Sequence, residues 1–554
     1  MHRRIRMALA ALVAAQAAWL LVHWQPACVG PDAVGICAEA HQLATAGSGT
    51  FHPASPAQLV DSHWVQLGGN TYAGRYPPAY PFVLAFLDAL FGPALSLLAG
   101  PLLAVLAVAL LFAAARTMTD AAPAILGAAL LATFPLANRL ALHGDTHVPA
   151  TVCVLLGLWA LLRWDRRPTP AGAFLVGLAW GVLPTVRYAE GVMSAVAGVY
   201  VLWRSMRVRE VGARHILAAA LGAAIPVGSL LLFDAVTYGA PLTTGYAFTH
   251  EQTAFAWANI GPNLKFYLEN LARQPSIIGV VVLGMVGLVM MIRDREVRRW
   301  GVFLASAVVA STAVYSAYYW GGREDPRLAF RFFLPALVCL IPVIVWCVSH
   351  AHGRLRWALG TMVAFQMAVG VFGSERSMRD EAVALTRAED IVAAAEHVIP
   401  RGAVVIAPRT LGETLEYENR WSLVPEWLLP GDPDRSTMLL PWEVSPQIAR
   451  RYAHTPAPTQ IARGADLRSH YRGLSDRELV QAVMTDIHRW RPDADVYWVG
   501  DPSVVATADT LLATGRFEAI GRVLDPAGER AENPDAPYWV PRGPEWIFKL
   551  SLAP

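Results

Sequence analysis

Charged residues are scarce in this 554-residue chain. They make up 16% of the residues, against about 25% in an average soluble domain, while hydrophobic residues make up 55% and the mean hydropathy is +0.37. This composition excludes a plain cytosolic enzyme and a disordered scaffold. It also excludes a nucleic-acid-binding protein whose affinity rests on basic charge, because the formal net charge is only +2.

Lysine and cysteine are rare. The chain has two lysines, Lys265 and Lys549, beside 43 arginines. We interpret this ratio mainly as coding bias, so the presence of an arginine is by itself weak evidence of function. Three of the five cysteines fall in apolar runs and are typical of packing residues: Cys153, Cys339 and Cys347. Cys28 and Cys37 flank a polar loop. They would pair if that loop faces an oxidising compartment, although spacing alone fixes no connectivity.

The charge is unevenly distributed along the chain. Residues 1–373 hold 25 Lys and Arg and 16 Asp and Glu, which is 11% of the segment. Residues 374–554 hold 20 and 27, which is 26% and ordinary for a soluble domain. We therefore predict a polytopic membrane domain over 1–373 and a soluble domain over 374–554.

Apolar runs long enough to span a bilayer recur through the first part of the chain, since a spanning helix needs about 20 mostly apolar residues. The short apolar stretch 79–92 follows Pro77 and Pro78 and is typical of a re-entrant or interfacial helix. The first run is longer than the apolar region of a cleaved signal peptide, so we interpret it as an anchor. Eleven spans are predicted, near 7–24, 95–115, 121–137, 147–163, 171–186, 189–203, 213–236, 276–292, 300–319, 332–349 and 357–373.

Arginine placement predicts the orientation of these spans. If the N-terminus is cytoplasmic, the inner segments hold 17 arginines in short loops, and the longer outer segments of the membrane domain hold 8 Lys and Arg. Eleven spans then place the C-terminal domain outside. We expect a multi-pass protein of the bacterial cytoplasmic membrane.

The outer segments carry the polar residues that a site needs. They lie at about 25–78, which is the long first outer loop, and at 138–146, 237–275 and 320–331. Few acidic residues sit deep in the spans, where an ion-coupled transporter usually needs them, and no internal repeat is visible. The site is therefore predicted at the outer membrane surface.

The order of motifs along these segments is informative. Asp32 follows the first span, Tyr76 precedes Pro77 and Pro78, Asp145 opens the fourth span, and Arg187 follows the fifth. Two further stretches are GAPLTTGY at 239–246 and RFFLP at 331–335. Over about 1–375 this order resembles the bacterial lipid-dependent glycosyltransferases of the C superfamily, in the branch of the protein O-mannosyltransferases and the aminoarabinose transferase of lipid A. Many relatives have Asp-Glu in the first loop, whereas Ala33 follows Asp32 here.

The resemblance implies a fold and a reaction. The fold would be a multi-span α-helical membrane domain followed by a soluble α/β domain. The donor would be a sugar on a polyprenyl phosphate, and the partners would be the bilayer and an extracytoplasmic glycan, lipid or protein acceptor, with no nucleic acid. Asp32 would take the proton of the attacking hydroxyl. From the residues alone, Asp32 is equally consistent with capping a loop helix at 35–46.

Asp145 has several open interpretations. It would bind the acceptor, hold a metal, orient the Asp32 loop, or cap the span that starts near His147. His143, Asp145 and His147 alternate, and an extended backbone would put all three on one face, as in some transition-metal sites. Short outer loops often hold solvated histidines and no Cys or Glu is nearby, so a divalent metal is not favoured. The sequence establishes no cofactor, and a divalent metal at these three residues stays an open alternative.

The leaving phosphate needs positive charge in a low-dielectric site. Each candidate arginine also has a structural alternative, because Arg75 is placed to pair with Asp61 and Arg187 is placed to pair with Glu190. Arg323 and Arg327 would likewise pair with neighbouring acids. The residues predicted to bind the donor phosphate are Arg75, Tyr76, Arg187, Arg327 and Arg331.

The C-terminal segment has α/β character. A helix is predicted over 380–398 and another over 503–514, with strands at 403–407, 497–500, 517–523 and 546–552. It has no glycine-rich phosphate loop, nucleophile elbow or metal spacing. Capping the outer site, holding the acceptor and serving as a structural platform are all open roles.

The leading prediction is a membrane glycosyltransferase that acts by single in-line displacement with inversion. Two alternatives to it stay open. A transporter or flippase of lipid-linked sugars would use the same arginines but would not need Asp32 as a base. A non-catalytic subunit of envelope glycan assembly would show no turnover.

Overall fold

The computed structural model describes residues 2–60, 63–208, 211–249, 251–320, 328–407, 421–425, 471, 474–500, 515–522 and 546–552. The described part is mostly helical. Its α-helices are α1 His2–His23, α2 Pro31–Ala46, α3 Ala79–Phe91, α4 Pro93–Ser96, α5 Ala99–Met118, α6 Ala121–Ala132, α7 Pro135–His143, α8 His147–Arg166, α9 Pro170–Val186, α10 Gly191–Arg207, α11 Gly212–Tyr238, α12 Gly245–Phe248, α13 Trp257–Leu271, α14 Pro275–Arg293, α15 Arg298–Ala317, α16 Leu334–His350, α17 Gly353–Val398 and α18 Asp476–Trp490. Its 3-10 turns are Tyr188–Glu190, Glu251–Thr253 and Arg331–Phe333.

Each of the eleven predicted apolar runs overlaps one or two described helices, and the multi-span helical fold is confirmed. Eight described helices are long and apolar enough to cross a membrane. The pair α6 and α7, bent by 54°, makes a ninth. The bend lies at Phe134, because Pro135 removes a backbone donor and disfavours helical backbone at the residue before it. Helices α9 and α10 are shorter, with 17 residues each.

Small residues let helices approach closely around the most buried spans. The α16 span is 89% buried and the α8 span 78% buried, so these two helices form the centre of the bundle. Helices α9 and α11 touch through Gly177 and Gly222, where an added Cβ would meet backbone atoms of the facing helix. Such small-residue contacts are typical of helix pairs in membranes.

The first outer loop is a compact unit. It contains α2 and a three-stranded antiparallel sheet of β1 Thr50–Phe51, β2 Trp64–Gly68 and β3 Thr71–Gly74, in the order β1-β3-β2. Cys28 and Cys37 form a disulfide. The helix predicted to start at 35 starts at Pro31, because proline is favoured in a first turn and Gly30 precedes it with a φ of 84°.

The C-terminal segment contains the predicted partly parallel sheet. Its strands are β4 Val404–Ala407, β5 Ser422–Pro425, β6 Val496–Gly500, β7 Gly515–Arg522 and β8 Trp546–Leu552, in the order β5-β4-β6-β8-β7. The first three are parallel and the last two are antiparallel to their neighbours. Strand β5 and helix α18 were not predicted. The helix predicted over 503–514 lies outside the described residues.

The C-terminal sheet is joined to the membrane domain by a helix and by a loop contact. Helix α17 has 46 residues and includes both the last predicted span and the helix predicted over 380–398. The proposed domain boundary at 373/374 thus lies inside one continuous helix. In the first outer loop, the Leu59 backbone N–H donates to the Leu423 carbonyl at 2.7 Å.

Candidate active site

A cavity of about 590 Å³ opens where the first outer loop meets the helix ends. Its wall is built from the start of α2, the segment before α3, the α7–α8 junction, the residues after α9, the end of α11, the segment 241–255 and the end of α15 with the turn before α16. The predicted outer segments are therefore adjacent in space. Residues predicted from sequence that line the cavity are Asp32, Arg75, Tyr76, His143, Asp145, His147, Arg187 and Arg331.

Asp32 lies in the first turn of α2 with its carboxylate among cations. Its Oδ1 accepts a hydrogen bond from the Tyr76 hydroxyl at 2.9 Å, and its Oδ2 is 3.2 Å from Arg331 Nη1. Arg75 Nη2 is 3.6 Å from Oδ1. Burial alone would raise the pKa of Asp32, but Arg331, Arg75 and the Tyr76 hydrogen bond outweigh it and hold that pKa below its usual value. The alternative that Asp32 caps the loop helix is wrong, because Gly30 is the N-cap and no side chain caps α2.

Arg75 is buried and contacts three polar groups. Its guanidinium donates to the Tyr76 hydroxyl at 2.9 Å and lies 3.5 Å from Glu251 Oε1. Tyr319 donates to the same Glu251 oxygen at 3.0 Å. Burial raises the pKa of Glu251, and Arg75 only partly offsets this. Asp61, the partner considered for Arg75 from sequence, lies outside the described residues.

Arg187 directly follows α9 and lines the cavity. It donates to Thr146 Oγ1 at 2.9 Å and to the Tyr315 hydroxyl at 3.4 Å. Its Nε is 4.0 Å from Glu190 Oε1, so the i,i+3 pair expected from spacing is present, and Tyr315 donates to that oxygen at 2.8 Å. Arg187 is therefore oriented by neighbours on three elements while it lines the cavity.

The Phe332 ring contacts two of the guanidinium groups. The Arg331 guanidinium carbon is 4.9 Å from the ring centroid, and that of Arg187 is 5.7 Å from it. A ring face attracts cations electrostatically, so Phe332 helps two like charges share one wall. The sequence did not single out Phe332. Arg327, the remaining predicted phosphate ligand, lies outside the described residues.

Asp145 connects to the start of α8. Its Oδ1 accepts from the His147 backbone N–H at 2.9 Å, and its Oδ2 is 3.6 Å from His147 Nε2. Asp145 thus bonds the first backbone N–H of α8, but it lies two residues before that helix, and the N-cap is Thr146 rather than Asp145 as predicted. Burial raises the pKa of Asp145, and His143 and Arg331 offset this only in part.

The backbone at this junction is not extended, contrary to the geometry considered for a metal. Gly144 is left-handed, with a φ of 82°, and His143 ends α7 with its Nδ1 2.6 Å from Glu381. Over the part of the chain that the structure describes, no group of three His, Cys, Asp or Glu side chains is placed to hold a metal ion.

A row of tyrosines connects the Asp32 side of the cavity with α11. Tyr246 packs edge-on against Tyr76, with ring centroids 6.3 Å apart, and against Tyr188, with centroids 5.8 Å apart. Tyr188 donates to Asp234 Oδ1 at 3.3 Å. Sequence reasoning missed Glu251, Tyr188 and Asp234; the available signal for Asp234 was an acidic residue inside a predicted span.

Comparison with known proteins supports the resemblance. Residues 75–233 match the family described as dolichyl-phosphate-mannose-protein mannosyltransferase. The crystal structure of ArnT from Cupriavidus metallidurans bound to undecaprenyl phosphate is similar, at 15% identity and a TM-score of 0.59, over 98% of this chain and 97% of that chain. Its apo state gives 14% identity, the same TM-score and the same coverage.

The chain is also similar to a solved oligosaccharyltransferase. The oligosaccharyltransferase of Archaeoglobus fulgidus gives 11% identity and a TM-score of 0.49, over 90% of this chain and 69% of that chain. No curated protein sequence matches the chain. On the family match and the ArnT fold together, the resemblance of this chain to the C-superfamily glycosyltransferases is confirmed.

Proposed function

We propose that the chain is an integral membrane glycosyltransferase that moves a sugar from a polyprenyl-phosphate donor to an acceptor hydroxyl. The observation that carries the proposal is the convergence of Asp32, Arg75, Arg187 and Arg331 on one cavity. Its volume suits a small headgroup. The matched mannosyltransferase family and the fold shared with undecaprenyl-phosphate-bound ArnT support the chemical class of the donor.

The arginines bind the donor phosphate in this proposal. When the bond between the anomeric carbon and the phosphate oxygen breaks, its electron pair stays on that oxygen and the polyprenyl phosphate gains negative charge. Preorganised guanidinium groups in a site with little water stabilise such developing charge. Arg187 and Arg331 share the Phe332 wall, and Arg75 faces them across Asp32. A phosphate between them would contact more than one guanidinium.

Asp32 is the general base in this proposal. The acceptor oxygen attacks the anomeric carbon on the face opposite the phosphate, its proton passes to Asp32, and the configuration inverts. In the free enzyme the arginines make Asp32 a weak base, because they hold its pKa low. A bound phosphate competes with Asp32 for Arg331 and Arg75. Donor binding therefore increases the basicity of Asp32 at the moment when it is needed.

Asp145 has a supporting role in this proposal. It is buried at the cavity wall, and its Oδ2 has no hydrogen-bond partner among the described residues. We assign it to the acceptor, whose hydroxyl would satisfy that oxygen. The acceptor itself is an extracytoplasmic glycan, lipid or protein.

The orientation is also part of the proposal. The N-terminus is cytoplasmic, and the cavity and C-terminal sheet face outward across the bacterial cytoplasmic membrane. The arginine bias supports this, and so does the disulfide in the first outer loop, because disulfides persist in oxidising compartments.

Asp32→Asn tests the proposal. The full chain is reconstituted in vesicles with undecaprenyl-phosphate mannose, and transfer to a pool of envelope glycans, lipids and proteins is measured together with donor binding. We expect turnover to fall about 10³-fold while donor binding persists. Asp88→Asn is the matched control, because Asp88 pairs with His41 away from the cavity.

Mass spectrometry of lipids that copurify with the wild-type chain identifies the donor independently. If the wild type transfers no sugar but moves the lipid-linked sugar across the vesicle bilayer, and Asp32→Asn moves it equally well, the chain is a flippase. Absence of both activities and of any bound prenyl phosphate would indicate a non-catalytic subunit.

A further inference from the structure

Asp234 is a buried carboxylate in the cavity wall to which the proposed chemistry gives no role. It lies on α11, four residues before the end of that helix, and its side chain is 2% exposed. An acidic residue inside a membrane-spanning helix is costly and usually functional. Within the described residues, Asp234 accepts one side-chain hydrogen bond, from Tyr188.

Asp234 differs from the arginine-paired carboxylates around the cavity, and from Asp145, which accepts from a backbone N–H and lies 3.6 Å from His147 Nε2. Asp32, Glu251 and Glu190 each lie within 4.0 Å of an arginine nitrogen. No cation of the described chain lies within that distance of Asp234. It is therefore available to neutral hydrogen-bond donors of a ligand, whereas the arginine-paired carboxylates are already engaged.

The chain places Asp234 beside the predicted phosphate site. Tyr188, which donates to Asp234, directly follows Arg187. Arg187 and Tyr188 both line the cavity, so a sugar attached to a phosphate at Arg187 would share that cavity with the Tyr188 ring. Tyrosine presents an apolar ring and a polar tip, which suits a sugar with one apolar face and many hydroxyls. The tyrosine row continues through Tyr246 towards Asp32, where the acceptor must attack.

The part of helix α11 that lines the cavity has an apolar stretch followed by a polar residue. Leu230 and Leu231 line the cavity one turn before Asp234. A prenyl chain suits the leucines and a sugar suits the carboxylate, so a lipid-linked sugar matches this helix in one orientation only.

Resting on the function proposed above, we infer that Asp234 and Tyr188 form the subsite that recognises the donor sugar, with Asp234 accepting hydrogen bonds from sugar hydroxyls. The ligand class is a hexose attached to a polyprenyl phosphate. Asp234 is then a specificity-determining residue and takes no proton from the acceptor.

Binding measurements on the full-length chain in detergent test the inference. The probes are undecaprenyl phosphate and undecaprenyl phosphates that carry mannose, glucose or galactose. For Asp234→Asn we expect the preferred sugar-bearing lipid to bind about tenfold more weakly, because a neutral amide oxygen accepts a weaker hydrogen bond than a carboxylate does. Binding of undecaprenyl phosphate should not weaken, since removing a negative charge does not disfavour an anion.

Discrimination among the three sugars is the second readout. The variant should lose most of the wild-type preference, and Tyr188→Phe should lose part of it. Asp88→Asn should keep it. An equal loss of affinity for all four lipids, or an unchanged preference, would overturn the inference while leaving the glycosyltransferase proposal intact. If the wild type binds none of the four, the proposed function fails and the inference fails with it.

Discussion

The carboxylate of Asp32 is partly buried, with 32% of its side chain exposed, among groups that keep it ionised. Arg331 and Arg75 supply positive charge and Tyr76 supplies a hydrogen bond, and together they outweigh the cost of burial. The balance depends on the cations, because burial acts in the opposite direction. Replacing Arg331 or Arg75 by a neutral residue should therefore change the pKa of Asp32 more than it changes the structure.

Arg331→Gln should shift the acid limb of the pH profile. In the wild type, Asp32 loses its charge only below its usual pKa, so transfer should persist into acid. In the variant, burial is less opposed, the pKa of Asp32 rises, and kcat/KM should begin to fall at higher pH. The rate at the optimum should also drop about 10²-fold, since a phosphate contact is lost.

The control for this profile is Arg273→Gln, an exposed arginine away from the cavity. It should leave both the rate and the acid limb unchanged. An Arg331→Gln profile that superimposes on the wild type after scaling would show that Asp32 protonation does not govern the acid limb.

Glu39 should make the fold less stable at alkaline pH. It is 1% exposed and has no cation beside it among the described residues, and burial raises its pKa to about 8. An unfolded glutamate has a pKa near 4.5. The contribution of this proton to stability is thus fully present below about pH 4.5 and is lost as the pH rises through about 8.

Glu39→Gln removes this titration. Between pH 5 and pH 9 the wild type should lose up to roughly 4 kcal/mol of stability that the variant keeps, because one pKa unit corresponds to about 1.4 kcal/mol. Thermal unfolding in detergent at the two pH values measures the difference. A wild type and a variant that respond equally to pH would show that Glu39 is ionised at no cost in the fold.

The sequence found the chemically distinctive residues but, apart from Glu190 beside Arg187, not their partners. Asp32, Arg75, Tyr76 and Arg187 stood out because they are polar and flank apolar runs. Their partners are set by tertiary contacts between distant segments, as in the 176-residue separation between Arg75 and Glu251. Phe332 and Asp234 were missed because an aromatic residue and an acid in an apolar run have many structural explanations.

At the scale of elements, the hydrophobicity of the sequence located the spans but not the ends of the helices that contain them. Helix α17 was divided into a span and a separate helix because apolar residues end near 373. The backbone stays helical through the polar stretch that follows, since helical propensity does not require an apolar sequence. Glu381 lies in that polar stretch and pairs back with the membrane domain.

Glu381→Gln should destabilise the junction between α17 and α7. The buried carboxylate of Glu381 accepts from Arg139 Nε at 2.9 Å and pairs with His143. The variant leaves Arg139 buried without its counter-charge, which costs about 3 kcal/mol. Asp390→Asn, an exposed site on the same helix, should change stability by less than about 0.5 kcal/mol. Equal melting temperatures for the two variants would contradict this account.

At the scale of the whole molecule, the C-terminal sheet contacts the loop that carries the proposed base. The backbone bond from Leu59 to Leu423 and the burial of Ala57 beside Val404 and Ile406 connect that loop to the sheet. Helix α17 provides the second connection. The described part of the sheet is therefore joined to the membrane domain at two places, the first outer loop and α17.

This arrangement requires the sheet and the cavity to face the same side of the membrane, and the arginine bias predicts that side to be external. Alkaline phosphatase, which is active only after export, should therefore be active when fused after residue 554. A fusion truncated after Arg167, in a predicted cytoplasmic loop, should be inactive, and a green fluorescent protein should give the reverse pattern at both positions. Fluorescence at the C-terminus with an inactive phosphatase would place the cavity on the cytoplasmic side. The disulfide of the first loop would then have to form in a reducing compartment, where such bonds rarely persist.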